Sequence, residues 1–166
     1  KHEEVKEGFV EEDGRLFWYE NGVKQGTEGR GKEIYDPASD AWYWLDAEQG
    51  GTIAKSKDVY LATGDENEGK WVRYDENGHM VKGWDTTEDG TYYFDLITGE
   101  MAKNVVSVDG TDYRFNDITG IALNLEFVTE DGKNFWYEGG IKQGTEGRGK
   151  EIYDPASDAW YWLDAV

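Results

Sequence analysis

The fifteen residues EIYDPASDAWYWLDA occur at 33–47 and again, letter for letter, at 151–165. The identity reaches further back: positions 24–47 and 142–165 agree throughout, at an offset of 118. Ahead of each copy lies a diverged arm, FVEEDGRLFWYENGV from Phe9 and FVTEDGKNFWYEGGI from Phe127. Independent drift would have scattered substitutions over both copies, so near-identity points to a recent duplication. A chain built this way must fold so that one copy can follow another, which is the requirement met by repeat architectures. The organisation expected is one long repeat unit over 1–125, expanded at 26–69, then the start of a second, near-identical unit over 126–166.

A shorter period runs inside the long one. Asn77-Gly78, Thr98-Gly99, Thr119-Gly120 and Gly139-Gly140 follow one another at 20 or 21 residues, and Asp89-Gly90, Asp109-Gly110 and Asp131-Gly132 fall between them. Asp-Gly and Asn-Gly suit two-residue hairpin turns, where both central residues need positive φ. Between the turns lie the aromatic and β-branched runs KWVRYD, TYYFD, DYRFN and NFWYE, which read as strands. The two prolines, Pro37 and Pro155, both sit in the DPASD turn, and no stretch carries a helical apolar period. The second strands share a five-position motif: Trp71–Asp75, Thr91–Asp95, Asp112–Asn116, Asn134–Glu138 and Trp160–Asp164. Positions two and four are apolar in every row, as one buried strand face requires; one and three vary and are expected to face the other way. The fold class is therefore all-β, a solenoid of stacked β-hairpin repeats of about 20 residues. One hairpin is marginal alone, whereas stacking neighbours buries a continuous aromatic face.

Composition narrows the function. A formal charge of −19, with 36 carboxylates against 17 Lys and Arg, opposes binding to nucleic-acid phosphates and to anionic membrane surfaces. It tolerates a cation or a neutral sugar, and it keeps a β-rich repeat protein from self-associating. Eight Trp, 11 Tyr and 6 Phe supply large buried areas where an aliphatic core is lacking. Cysteine is absent, which removes disulfides and thiolate metal sites. No apolar run approaches the ~18 residues of a membrane span, and no signal peptide is present; a start at Lys1 rather than Met is what a processed or excised segment shows.

The strands WYWLD and TYYFD, and the Gly-Trp step in GHMVKGWDTTEDGTYYFD, resemble the cell-wall-binding repeats of Gram-positive surface proteins, the choline-binding and glucan-binding repeats. The likeness covers nearly the whole chain and is cleanest over 70–145. It implies an exported bacterial surface protein, extracellular, with ligand sites between successive hairpins and no cofactor. Its partner would be teichoic-acid choline or a glycan polymer of the cell wall. In choline-binding relatives a quaternary ammonium sits among aromatic rings, held by cation–π attraction of ~0.5–2 kcal/mol per good contact. The family pattern falls here on Trp71, Trp84 and Tyr93, with Thr91 where relatives often carry Trp, and with Val105 and Leu125 replacing the Trp of later Gly-Trp steps. Trp42, Trp44, Trp160 and Trp162 are further candidates without a Gly-Trp partner. A sugar is the rival ligand, because flat rings stack on pyranoses while Asp, Asn and Glu accept hydroxyl hydrogen bonds. The remaining reading is a passive spacer or protein-binding stalk, whose aromatics only pack hairpin on hairpin.

Catalysis finds no footing. His2 lies near the start of the chain and His79 follows a turn with no paired Ser or Cys. The DENEG run at 65–69 is oxygen-rich but lacks the spacing of a dedicated Ca²⁺ loop, and reads as solvated charge. The last expectation concerns the duplicated block. Residues 24–47 have following hairpins to stack upon, whereas the second copy runs to Val166 with Trp160, Tyr161 and Trp162 on an unpaired face. That face leaves self-association open, and the second copy is expected to be the less ordered or to hide its aromatics against another molecule.

Overall fold

A computed structural model describes residues 4–64 and 68–166. His2 and most of the DENEG run lie outside the described residues. The chain forms two compact units, Lys1–Val81 and Lys82–Val166. Among the described residues there is no α-helix, only a single 3₁₀ turn at Ala47–Gln49, and so no helix long and apolar enough to cross a membrane.

The first unit holds β1 (Gly8–Glu12), β2 (Arg15–Glu20), β3 (Val23–Lys24), β4 (Gly31–Asp36), β5 (Ala41–Asp46), β6 (Thr52–Ile53), β7 (Lys57–Ala62) and β8 (Gly69–Tyr74). The second holds β9 (Gly83–Thr87), β10 (Gly90–Phe94), β11 (Asn104–Val108), β12 (Thr111–Phe115), β13 (Glu126–Glu130), β14 (Lys133–Glu138), β15 (Ile141–Lys142), β16 (Gly149–Asp154) and β17 (Ala159–Asp164). Seven antiparallel hairpins result: β1–β2, β4–β5, β7–β8, β9–β10, β11–β12, β13–β14 and β16–β17.

Two kinds of turn alternate, and they have different jobs. Asp13-Gly14, Asp109-Gly110 and Asp131-Gly132 close the hairpins, with both residues at positive φ as expected. The β9–β10 hairpin departs by one residue. Thr87 pairs with Gly90, so Glu88 and Asp89 form its loop and Gly90 opens the strand. The Asn-Gly and Thr-Gly series lies at the other end of each hairpin, where the chain turns from the second strand into a short return arm. The fifth residue of the strand motif drives that turn. Asp75 Oδ1 accepts from the backbone of Asn77 and His79, Asp95 Oδ1 from Ile97 and Thr98, and Asn116 Oδ1 from Ile118 and Thr119. These are Asx turns, which is the physical reason for Asp or Asn at that position.

The return arm is what joins hairpin to hairpin. Ala54 N donates to Trp44 O in its own hairpin, while Thr52 Oγ1 reaches back to Leu16 O in the preceding one. Val81 N likewise bonds Arg73 O while Met80 N bonds Trp42 O. In the second unit Leu123 N bonds Arg114 O and Ala122 N bonds Thr91 O. Each of these three arms thus pairs with its own second strand and with the hairpin before it in the same unit. Within a unit, hairpins are stapled by backbone as well as by side chains.

Of the apolar positions two and four of the motif, Val72, Tyr74, Tyr92, Phe94, Phe115 and Tyr137 are buried as expected, Tyr113, Phe135 and Leu163 are half-buried, and Tyr161 is exposed. Three clusters form along the chain, around Tyr43 and Leu45, around Val72 and Tyr74, and around Phe115 and Ala122. Position three departs from the outward expectation in two rows, because Tyr93 and Trp136 are buried too. Both lie between stacked hairpins, so their outer face is covered by a neighbour.

Candidate ligand-binding site

The Trp84 ring is the centre of an aromatic junction. It lies opposite Tyr93 across the β9–β10 hairpin, edge to face with centroids 4.9 Å apart. It also meets Tyr113 of the next hairpin at 4.8 Å and 71°, and Phe115 at 6.1 Å. Trp84 nevertheless keeps 44% of its surface exposed, whereas Tyr93 is buried. A half-exposed indole walled by two phenol rings presents π density to solvent without needing to open, and that arrangement attracts a cation or stacks on a sugar.

The same junction occurs twice more, with phenylalanine at its centre. Phe9 pairs across the hairpin with Trp18 (4.7 Å) and meets Tyr43 of the next hairpin at 4.8 Å. Phe127 pairs with Trp136 (4.8 Å) and meets Tyr161 at 5.0 Å. Phe9 and Phe127 are the structural counterparts of Trp84, and reading along the sequence for a Gly-Trp step passes over them. The cross-strand register would have found them, because each sits one residue inside the last pair of its hairpin. Leu125 is not the counterpart. It lies outside β13 in the left-handed region, φ 53°. Val105 does hold the equivalent slot in β11, opposite Arg114.

Two lysines lie over the rings next to Trp18 and Trp136 along the second strands, which alternation turns to the opposite face from the junctions. Lys24 Nζ sits 3.8 Å above the Phe17 ring and Lys142 Nζ 3.9 Å above Phe135. Both ammoniums are held by carboxylates: Lys24 by Glu12 at 3.0 Å and Lys142 by Glu130 at 2.7 Å. Glu12 also accepts from Lys6 (2.9 Å) and Tyr19 (2.8 Å), and these donors pull its carboxyl down to about 2. Glu130 accepts from Tyr137 at 2.7 Å and from Arg114. Burial raises the ionisation of the Tyr137 hydroxyl, with the Arg114 charge opposing it.

The other sequence candidates fall in several places. Trp71 belongs to the first unit, while Trp84 and Tyr93 belong to the second. Within its own unit Trp71 meets Tyr60 at 5.4 Å, and with Trp44 the two rings line a hollow of about 180 Å³ that also holds Asp46, Asp58, Lys57 and Arg30. Lys57 Nζ lies 2.6 Å from the buried Asp46 carboxylate, so this hollow already contains a paired cation. Trp42 and Trp160 are exposed beside Tyr35 and Tyr153, at 5.2 and 5.3 Å. Trp162 is 59% exposed. The one described histidine, His79, packs its ring against Tyr43 at 5.2 Å.

Hairpins stapled by return arms and joined by aromatic junctions define a tandem β-hairpin repeat protein. Within that class, residues 66–105, which carry Trp71, Trp84 and Tyr93, match the family described as choline-binding repeat. The fold is similar to choline-binding protein F from Streptococcus pneumoniae, at TM-score 0.63 and 21% identity over 94% of this chain and 52% of that one. It is similar to CbpJ from Streptococcus pneumoniae TIGR4, at TM-score 0.65 and 20% identity over 94% and 48%. The choline-binding domain of CbpL from the same species aligns at TM-score 0.58 and 21% identity over 95% and 73%. The chain spans about half the length of the first two. No curated protein matches it in sequence.

Proposed function

We propose that this chain is a non-catalytic attachment module of an exported bacterial surface protein, holding choline of cell-wall teichoic acid at the Trp84 junction. The observation that carries the reading is the half-exposed Trp84 between Tyr93 and Tyr113, inside the stretch that matches the choline-binding repeat. A quaternary ammonium has no N–H to satisfy and loses little by leaving water, so aromatic faces hold it where a lysine would prefer a carboxylate. The charge of −19 adds a favourable long-range field for any cation. Trp71 and Trp44, with their hollow, and the outward Trp42, Trp160 and Trp162 are secondary contact points for choline or for a wall glycan.

One observation favours the spacer reading. At two of the three junctions the central ring is phenylalanine, a poorer partner for a cation than tryptophan. Those two junctions have the character of structural joints.

Choline titration followed by tryptophan fluorescence tests the proposal. A saturable change in the parent chain, lost in Trp84→Ala with the circular dichroism retained, is the expected result. A folded parent chain whose fluorescence ignores choline at high concentration removes choline. Failure to bind choline resin, purified wall and α-glucan alike would leave the spacer.

A further inference from the structure

One position in the hairpin stack is filled by a cation twice, from two unrelated stretches of chain. In the second unit Arg114 stands in β12 opposite Val105, as Tyr93 stands opposite Trp84 one hairpin earlier. Trp84 is met by Tyr113 and Phe115 of the following hairpin. Arg114 is met by Tyr137, which holds the motif position of Phe115 in the next hairpin along; its ring centroid lies 5.9 Å from the guanidinium carbon. The guanidinium also donates to Glu130 Oε2. The same oxygen accepts from the Tyr137 hydroxyl at 2.7 Å, and Glu130 Oε1 accepts from Lys142 Nζ at 2.7 Å.

The first unit builds this group again from Glu12, Tyr19 and Lys24, each 118 residues before its counterpart. Glu12 Oε2 accepts from Tyr19 at 2.8 Å and its Oε1 lies 3.0 Å from Lys24 Nζ. The remaining donor is Lys6, from the stretch ahead of β1. It lies 2.9 Å from Glu12 Oε2, with its ammonium 5.0 Å from the Tyr19 centroid. The residue 118 after Lys6 is Asn124, so Lys6 and Arg114 are not copies of one another. A guanidinium and an ammonium, delivered by different segments, reach the same oxygen and the same ring. The place itself therefore selects a cation. A carboxylate has about four acceptor sites, and one lysine and one phenol leave capacity for a further N–H donor beside a π face.

We propose that Glu130 and Tyr137 form a slot for an organic cation that carries N–H groups, a guanidinium or a primary ammonium, and that Arg114 is its resident occupant. One consequence rests on the choline reading above. The junction of Val105 and Arg114 is closed by the protein's own charge, so of these two neighbouring junctions choline is left that of Trp84. A quaternary ammonium has no N–H for Glu130, so the vacated slot also disfavours it.

The test vacates the slot. The 166-residue chain carrying Arg114→Ala, labelled on carboxyl and aromatic carbons, is titrated with methylguanidinium and separately with tetramethylammonium. Saturable shifts at Glu130 and Tyr137 with methylguanidinium, absent from the parent chain, are expected. Tetramethylammonium should act there about tenfold more weakly, the loss of one hydrogen bond to a charged group. Lys6→Ala repeats the titration at Glu12 and Tyr19. The Lys6 side chain is 51% exposed, so this variant keeps its hairpin whatever Arg114→Ala does to folding. No saturation at Glu130 in a folded Arg114→Ala chain, equal shifts in the parent, or an equal response to both cations would overturn the proposal. If Arg114→Ala does not fold, the same outcomes at Glu12 in Lys6→Ala overturn it. Shifts of the Trp84 ring with tetramethylammonium report on the choline reading alone, which can fail while the slot stands.

Discussion

Phe9 meets Tyr43 edge-on with ring centroids 4.8 Å apart, and 34 residues separate them in the chain. The contact is the smallest unit of this architecture: a first-strand ring of one hairpin set against the second strand of the next. Phe127 and Tyr161 repeat it at 5.0 Å. Edge-to-face pairs add ~0.5–1.5 kcal/mol beyond their burial. The burial differs between the copies, because in the first unit Tyr43 is also covered by His79 and by the return arm at Gly78.

The two junctions should therefore be worth different amounts. Phe9→Ala is expected to cost about 3 kcal/mol, within the range for truncating a packed aromatic, and Phe127→Ala about half as much. Urea unfolding of the two variants, with amide exchange to locate the loss, makes the comparison. Equal costs would show that neighbours beyond the junction contribute nothing.

Acid should loosen the first hairpin through Glu12. Hydrogen bonds from Lys6, Lys24 and Tyr19 lower its pKa from 4.5 to about 2. A carboxylate depressed on folding stabilises fully above its unfolded value, and that contribution fades as pH falls from about 4.5 through about 2. Lys6 and Lys24 are raised by the same contacts, so their share is present below 10.5 and is lost above their folded values. A carbon-detected titration of Glu12 should show the low midpoint, and Glu12→Gln should flatten the acid limb of stability in that window. A midpoint near 4.5 would mean that the ammoniums do not hold it in solution.

Tyr74 offers a stabilising substitution. The residue is fully buried, and its hydroxyl has no hydrogen-bond partner among the described residues. Burial, and after it the Glu33 charge, drives its ionisation far up. An orphaned buried hydroxyl carries its desolvation cost without return. Tyr74→Phe should raise stability by about 1 kcal/mol, measured by urea midpoint at unchanged slope. A loss of stability would reveal a partner for the hydroxyl.

Much of this protein was legible before any coordinates. Asp-Gly hairpin turns act through φ. The turns at Asn77-Gly78, Thr98-Gly99 and Thr119-Gly120, where only the glycine has positive φ, act through the Asp or Asn just before them. Both are local, so the strands between them and the hairpin class followed from residue order. The buried faces at Val72, Tyr74, Tyr92 and Phe94 followed from strand alternation. Trp84 and Tyr93 were singled out through the resemblance to the repeat family, and their cross-strand pairing is local because both lie within one hairpin.

What only the tertiary structure decided depends on the next hairpin. Trp136 and Tyr93 hold an outward position of their strands and are buried all the same, because a stacked neighbour covers them. Phe9 and Phe127 became junction centres through contacts 34 residues away, and Tyr113, not a nearer residue, closes the Trp84 junction. The two identical blocks make the division plain. Local interactions depend on the residues themselves, so both copies form the same hairpin with the same register. Burial depends on what lies alongside: Tyr43 is core because Ile53, Gly78 and His79, further along the chain, are packed against it.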